Sequence, residues 1–133
     1  MKILLFFLGA TAIVLGIFLW KYNQHWETTI LLVRHGQTDW NREQKVQGRS
    51  DIPLNETGLL QAKKTAAFLW EHHRDISAIY SSDLQRASAT AEETARLFKL
   101  QVELREKLRE IDTGVAEGMH IAEKIKKYKD EWK

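Results

Sequence analysis

The chain has 133 residues, enough for one modest domain. Its 20 Lys and Arg are interleaved with 18 Asp and Glu, and a net charge of +2 leaves no basic face of the kind nucleic acid requires. There is no cysteine, which excludes disulfides and thiolate metal sites, and 29% charged residues exclude a chain embedded wholly in a membrane.

The first element in chain order is an uncharged run from Ile3 to Trp20. As a helix it would span about 27 Å, close to the hydrocarbon thickness of a bilayer. Lys2 and Lys21 bracket it, and Trp20, Tyr22 and Trp26 stand where interfacial aromatics sit. A cleavable signal peptide needs small residues after the apolar run, where this chain has Leu19, Trp20, Lys21 and Tyr22. A buried core helix would be shorter or carry a polar stripe. The run therefore predicts an N-terminal transmembrane helix in an anchor and linker over residues 1–27. It also predicts a membrane localisation, with the membrane as a partner. The flanking charges do not decide its orientation.

Thr28 to Val33 is a β-branched and aliphatic run of strand length, apolar enough to be buried on both faces. It ends at Arg34-His35-Gly36, and a polar segment follows through Gly48 and Pro53. Asn55 and Gly58 read as a helix entry, with Leu59, Ala62, Ala66 and Leu69 recurring at helical spacing. Ile76 to Tyr80 reads as a second strand, ending in Ser81-Ser82-Asp83. From Leu84 to Leu97 the pattern is helical, with Ala87, Ala91 and Ala95 on one face. Gln101 to Leu104 alternates like a third strand. Ile121, Ile125, Tyr128 and Trp132 then share a last helical face among lysines. Alternating strands and helices predict an α/β fold with parallel strands over residues 28–133.

In such folds ligands bind beyond the carboxyl ends of the strands, which brings Arg34, His35 and Arg86 to one rim. Guanidinium groups match phosphate oxygens bidentately and stay protonated, so Arg34 and Arg86 are candidates for a phosphate clamp. Asn41 adds a neutral donor, and Gly36 permits close backbone approach. A neutral imidazole is a competent nucleophile toward phosphorus, and two nearby guanidinium groups would keep His35 deprotonated. The leaving oxygen needs a proton, which a carboxylic acid can give. Glu106, Glu110 and Glu117 are the carboxylates near enough in sequence to compete for that role.

These residues resemble the histidine phosphatase superfamily, the group that includes cofactor-dependent phosphoglycerate mutases. The resemblance is carried by Leu32 to Asn41, by Gln47 to Gly58, by Ser81 to Ala87 with Thr90-Ala91, and by Leu108 to Asp112 with Glu117-Gly118-Met119. It covers nearly everything from Ile30 onward. It implies a phosphoglycerate mutase-like three-layer sandwich with a mostly parallel sheet. It implies that His35 is the phosphorylated histidine, that Arg34 and Arg86 bind the phosphate, and that Glu110 is the proton donor. Asn41, Gln47 and Gly48 match positions lining the pocket. It implies no cofactor, no metal, and a small phosphorylated substrate.

The family also carries a second pocket histidine, followed by glycine, well beyond the Glu110 block. His25, His72, His73 and His120 lack that context. The resemblance thus implies that the domain is present here in its N-terminal portion only, C-terminally incomplete. His72 and His73 read as helix-end residues and His120 as a surface or cap residue. Trp40 reads as packing that supports its loop, and the closing lysines as a solvated face.

The expected function is a membrane-anchored phosphate-monoester phosphatase working through a phosphohistidine. Phosphoglycerate mutase-like transfer and a non-catalytic anchored fragment are the alternatives. The segment Gln47 to Asp51 looks more like the broad phosphatases than the mutases.

Overall fold

A computed structural model of the chain describes residues 28–129. Contacts divide the chain into two units, Met1–Leu32 and Val33–Lys133. In chain order the helices and strands of the second unit are α1 (Asp39–Arg42), α2 (Glu56–His72), β1 (Ile79–Ser81), α3 (Gln85–Phe98), β2 (Val102–Leu104) and α4 (Ile121–Tyr128). Two 3-10 turns, Glu106–Leu108 and Gly114–Ala116, lie between β2 and α4.

Strands β1 and β2 pair in parallel, Ile79 opposite Val102, Tyr80 opposite Glu103 and Ser81 opposite Leu104. Parallel strands need a crossover, and α3 supplies it while packing on both strands and on α2. The layer between the two helices is built from small side chains. Ala62, Ala66 and Leu69 of α2 and Ala95 of α3 are buried, and small residues let helix axes approach closely. Trp70 meets Phe98 edge-on at 5.1 Å and ties the far ends of the pair together.

Local chemistry sets the helix ends. The Asn55 side chain accepts from the Gly58 N–H at 2.9 Å and starts α2 where the sequence placed it. At the other end His72 donates from Nδ1 to the Phe68 carbonyl, satisfying a terminal acceptor. Helix α1 has no apolar periodicity to announce it. It exists because Thr38 and Asn41 form a reciprocal capping box.

Residues 36–38 are sewn to the start of α2. Asn55 N–H donates to the Gln37 carbonyl at 3.0 Å, and Gln37 N–H to Gln61 Oε1 at 2.8 Å. The contact is backbone against backbone. A Cβ on Gly36 would stand 2.3 Å from the Gly58 carbonyl oxygen, and one on Gly58 would stand 2.0 Å from that of Gln37.

Several expectations are corrected. Thr28 to Val33 belongs to no strand ladder among the described residues, and Ile30 and Leu32 are 76% and 95% exposed. Propensity marks a segment that fits a pleated surface, but a strand also needs a partner for its N–H and C=O groups. The strand read at Ile76 to Tyr80 begins only at Ile79 and runs to Ser81, because β2 offers three pairing residues. The α/β class and parallel pairing hold. Of the three layers, the described residues show one helical layer on a two-stranded sheet.

The face of α3 is also rotated from the expected one. Arg86, Thr90, Thr94 and Ala95 are buried, with Ala87 and Ala91 only partly so. The membrane-spanning helix is corrected as well: no helix among the described residues is long and apolar enough to cross a membrane. The longest, α2, carries Lys63, Lys64 and Glu71 on its surface. The run Ile3 to Trp20 lies outside the described residues, and the anchor, membrane localisation and membrane partner drawn from it are withdrawn.

The glycine crossing gives a direct test. Gly58→Ala drives a methyl group into the Gln37 backbone and should lower stability by about 3 kcal/mol in urea unfolding. Gly114→Ala meets nothing within 4 Å and strains only a φ of +51°, so it should cost about 1 kcal/mol.

Candidate functional site

The side chains singled out in the sequence converge from four segments. Arg34 and His35 lie just before α1, Gln47 to Asp51 form a turn, Arg86 opens α3, and Glu110 lies between the 3-10 turns.

Arg86 is the most constrained. It is 3% exposed, and its guanidinium donates from Nη1 to the Ser50 carbonyl at 2.7 Å and from Nη2 to the Gly48 carbonyl at 2.8 Å. No carboxylate among the described residues forms an ion pair with it. Burial lowers its pKa, and the charges of Asp51, Glu110 and Glu117 pull the other way. A buried cation without a counter-ion is costly, and the structure meets that cost in part with carbonyl dipoles.

Helix α3 also fixes the histidine loop. Thr90 Oγ1 donates to the Arg86 carbonyl one turn back and accepts the Gly36 N–H at 3.1 Å. One buried hydroxyl thus joins the two segments. The close approach Gly36 permits is to Gly58 of α2.

His35 is partly buried, and its Nδ1 lies 2.7 Å from the Gly36 carbonyl. A carbonyl only accepts, so Nδ1 carries the hydrogen and the neutral ring keeps its lone pair on Nε2. Burial is the largest influence on this imidazole and lowers its pKa from the ordinary 6.5. The bond to Gly36 raises it, the charges of Arg86 and Arg34 lower it, and that of Glu110 raises it. Arg34 itself is exposed at the rim.

Thr38, fully buried, orients two amides at once. Its hydroxyl faces Gln47 Oε1 at 2.7 Å and Asn41 Oδ1 at 3.1 Å, while Asn41 Oδ1 also accepts the Thr38 N–H. Both side-chain oxygens are engaged, which leaves the amide nitrogens of Asn41 and Gln47 as donors. Gly48 has φ +52° and turns the chain back under Arg86.

The three competing carboxylates separate by environment. Glu106 is exposed beside Arg109, 3.6 Å away. Burial pushes the Glu117 carboxyl up, but hydrogen bonds from the Ser50 hydroxyl, the Arg49 N–H and Thr113 outweigh this and hold it below the usual range. Glu110 is exposed, accepts the Ile111 N–H at 2.8 Å, and is the carboxylate whose charge acts on both His35 and Arg86. Its segment is braced twice. Arg109 forms a bidentate pair with Asp83 at the end of β1, and Arg49 Nε donates to the Glu110 carbonyl at 3.4 Å.

Thr38, Thr90 and the Arg109–Asp83 pair lie in the blocks that carry the resemblance, but the sequence assigned them no role. Thr38 had a readable signal, a hydroxyl residue three positions before Asn41 at a helix start. For Thr90 and Asp83 no local signal gave the role, because their partners, Gly36 and Arg109, are distant in the chain. The bland readings of His120 and Trp40 hold: His120 caps α4, and the Trp40 ring packs on Gly118.

A sequence profile described as the histidine phosphatase superfamily (branch 1) matches residues 30–133. The chain is 45% identical over 103 residues to the uncharacterized phosphatase PhoE of Bacillus subtilis, covering 77% of this chain and 52% of that protein. It is 38% identical over 104 residues to phosphoserine phosphatase 1 of Hydrogenobacter thermophilus, covering 78% and 48%. Among solved structures, a mycobacterial glucosyl-3-phosphoglycerate phosphatase in complex with VO3 matches with a TM-score of 0.66 and 37% identity, over 71% of this chain and 44% of that one. A phosphoserine phosphatase of Entamoeba histolytica in complex with 3-phosphoglyceric acid matches with a TM-score of 0.63 and 38% identity, over 72% and 47%. The chain spans about half the length of the curated relatives it matches.

The electrostatics of His35 can be checked by titrating its ring proton in NMR. The midpoint should fall below 6.5, its ordinary value, and Arg86→Ala should raise it by removing a positive neighbour. Because the folded pKa is depressed, protonation favours the unfolded chain. This contribution to stability is present above 6.5 and is lost as pH falls toward the folded value.

Proposed function

The chain belongs to the histidine phosphatase superfamily, branch 1, and on that premise we propose that it is the part of a phosphate-monoester phosphatase that forms a phosphohistidine at His35. One observation carries this reading. A buried guanidinium with no direct ion pair among the described residues stands near a neutral imidazole whose Nε2 has no hydrogen-bond partner among them. Such a pair offers an anion site and a nucleophile together.

In this reading Arg86 and Arg34 hold the phosphoryl oxygens, with the amide nitrogens of Asn41 and Gln47 and the backbone of the Gly48 turn as further donors. The Nε2 lone pair of His35 attacks phosphorus in line, and the bond from phosphorus to the ester oxygen breaks. Glu110 gives its carboxylic acid proton to that oxygen, which leaves as an alcohol. Water then attacks the phosphohistidine, gives a proton to the Glu110 carboxylate, and the N–P bond breaks to release inorganic phosphate. His35 returns to its neutral form. Three supports favour Glu110 over Glu117: its exposure, its electrostatic reach to His35 and Arg86, and the donors that keep Glu117 ionised.

Relatives named for action on phosphoserine and on glucosyl-3-phosphoglycerate support a small phosphorylated substrate. Others carry names of phosphoglycerate mutases, in which the phosphoryl group would pass to a second hydroxyl. Product analysis separates the two: free phosphate marks hydrolysis, and an isomeric ester marks transfer.

The test is phosphoenzyme trapping with p-nitrophenyl phosphate. Acid-labile phosphate should appear on the protein and vanish in His35→Ala. Arg86→Ala should lower kcat/KM by about a hundredfold to a thousandfold, as removal of a buried donor to a developing anion does. Acid-labile phosphate that persists on His35→Ala would contradict the assignment.

A further inference from the structure

Glu117 makes and breaks no bond in the reaction proposed above, yet it is the most heavily engaged carboxylate near the site. Its Oε1 accepts the Arg49 N–H at 2.7 Å and lies 3.5 Å from Thr113 Oγ1, while Oε2 accepts the Ser50 hydroxyl. It also presses against the turn itself. A Cβ on Gly48 would stand 2.2 Å from Glu117 Oε1 and 2.4 Å from Thr113 Oγ1.

The peptide group between Gly48 and Arg49 is the informative feature. Its N–H end donates to Glu117, and its C=O end accepts from Arg86 Nη2 at 2.8 Å. A peptide unit is planar, with N–H and C=O pointing in opposite directions, so fixing one end aims the other. Ser50 is held in a similar way. Its hydroxyl is on Glu117 and its carbonyl accepts from Arg86 Nη1 at 2.7 Å. The carboxylate and the guanidinium form no ion pair. They are joined through backbone groups that polarise one another.

We infer that Glu117 is the positioning residue of the phosphate clamp, a counter-charge placed one peptide away from Arg86 to stabilise the buried cation without occupying its fork. The inference rests on the reading of Arg86 as a phosphate ligand. A direct salt bridge would neutralise Arg86 but would compete with phosphate for the same N–H groups. At one peptide's distance Glu117 still supports the charged state of Arg86 and leaves the rest of its donors for the anion. The same geometry explains the glycine at position 48. A side chain there would have to displace the carboxylate from its place and would strain a φ of +52°.

The test uses the whole chain and its isosteric variant Glu117→Gln, which keeps the shape and one acceptor but removes the charge. The probe is inorganic phosphate, with binding followed by phosphorus NMR. Affinity should fall about tenfold to a hundredfold, the loss of a charge-assisted bond, with the melting transition retained. The Arg86 guanidinium N–H signals should exchange faster with solvent. Were the Gln variant to lose its fold, Ser50→Ala removes one donor and keeps the carboxylate. Its phosphate affinity should fall by several-fold with a cooperative melting transition retained. A folded Glu117→Gln, or failing that a Ser50→Ala, with the affinity of the parent chain overturns the inference while leaving Arg86 in its role. Unchanged phosphate binding in Arg86→Ala would remove the clamp reading and this inference together.

Discussion

The two hydrogen bonds from Arg86 to the carbonyls of Gly48 and Ser50 hold a full charge away from water. Desolvating a guanidinium is unfavourable by several kcal/mol unless dipoles or an anion replace the lost solvent. Here dipoles replace part of it, so the turn at residues 47–50, the start of α3 and the carboxylates around them must hold their places for the cation to be tolerated. Asp51 contributes from the same turn, accepting the Gln85 N–H at 2.7 Å and capping α3 where its own N-cap residue, Leu84, has no side-chain bond to offer. Turn and helix are thus fastened in both directions, and the side chain they share is Arg86, the residue proposed to hold phosphate.

From that clamp the constraint passes into the packing. Thr90, one turn along α3 from Arg86, takes the Gly36 N–H and fixes the height of the histidine loop. Gly36 in turn lies against Gly58, so the loop is caught between two helices, backbone against backbone on the α2 side and held by the Thr90 hydroxyl on the α3 side. The small inner faces of α2 and α3 belong to the same requirement. Larger residues at Ala62, Ala66 or Ala95 would separate the helices and carry the two loop anchors apart.

The acidic residues show how environment divides one chemical group into several tasks. Asp83 is held ionised by the guanidinium of Arg109 and serves as a brace. Glu117 is held ionised by donors from the turn and supports Arg86 at a distance. Glu110 is held by the brace on its neighbour Arg109 and by the Arg49 bond to its own carbonyl, with its side chain exposed at the rim. The proton-donor role proposed for it needs a carboxyl that solvent and substrate can reach.

The residue types of the site, the α/β alternation and the entry of α2 were legible in the amino-acid sequence. Those signals are local: a strand-like run ending in Arg34-His35-Gly36, an Asn55 three residues before Gly58, and alanines and leucines at helical spacing. That Thr28 to Val33 would stay outside a ladder was not legible, because pairing depends on a partner that propensity does not see. Nor did local signals separate Glu110 from Glu106 and Glu117, which lie within a few residues of one another and differ only in what surrounds them. The rotation of α3 that buries Arg86 and Thr90 was hidden for the same reason. Both look like surface residues until a turn nearly forty positions earlier supplies the carbonyls, and a glycine loop earlier still supplies the N–H. Long-range contacts settled these points, because satisfying a buried polar group requires partners that the chain delivers from elsewhere.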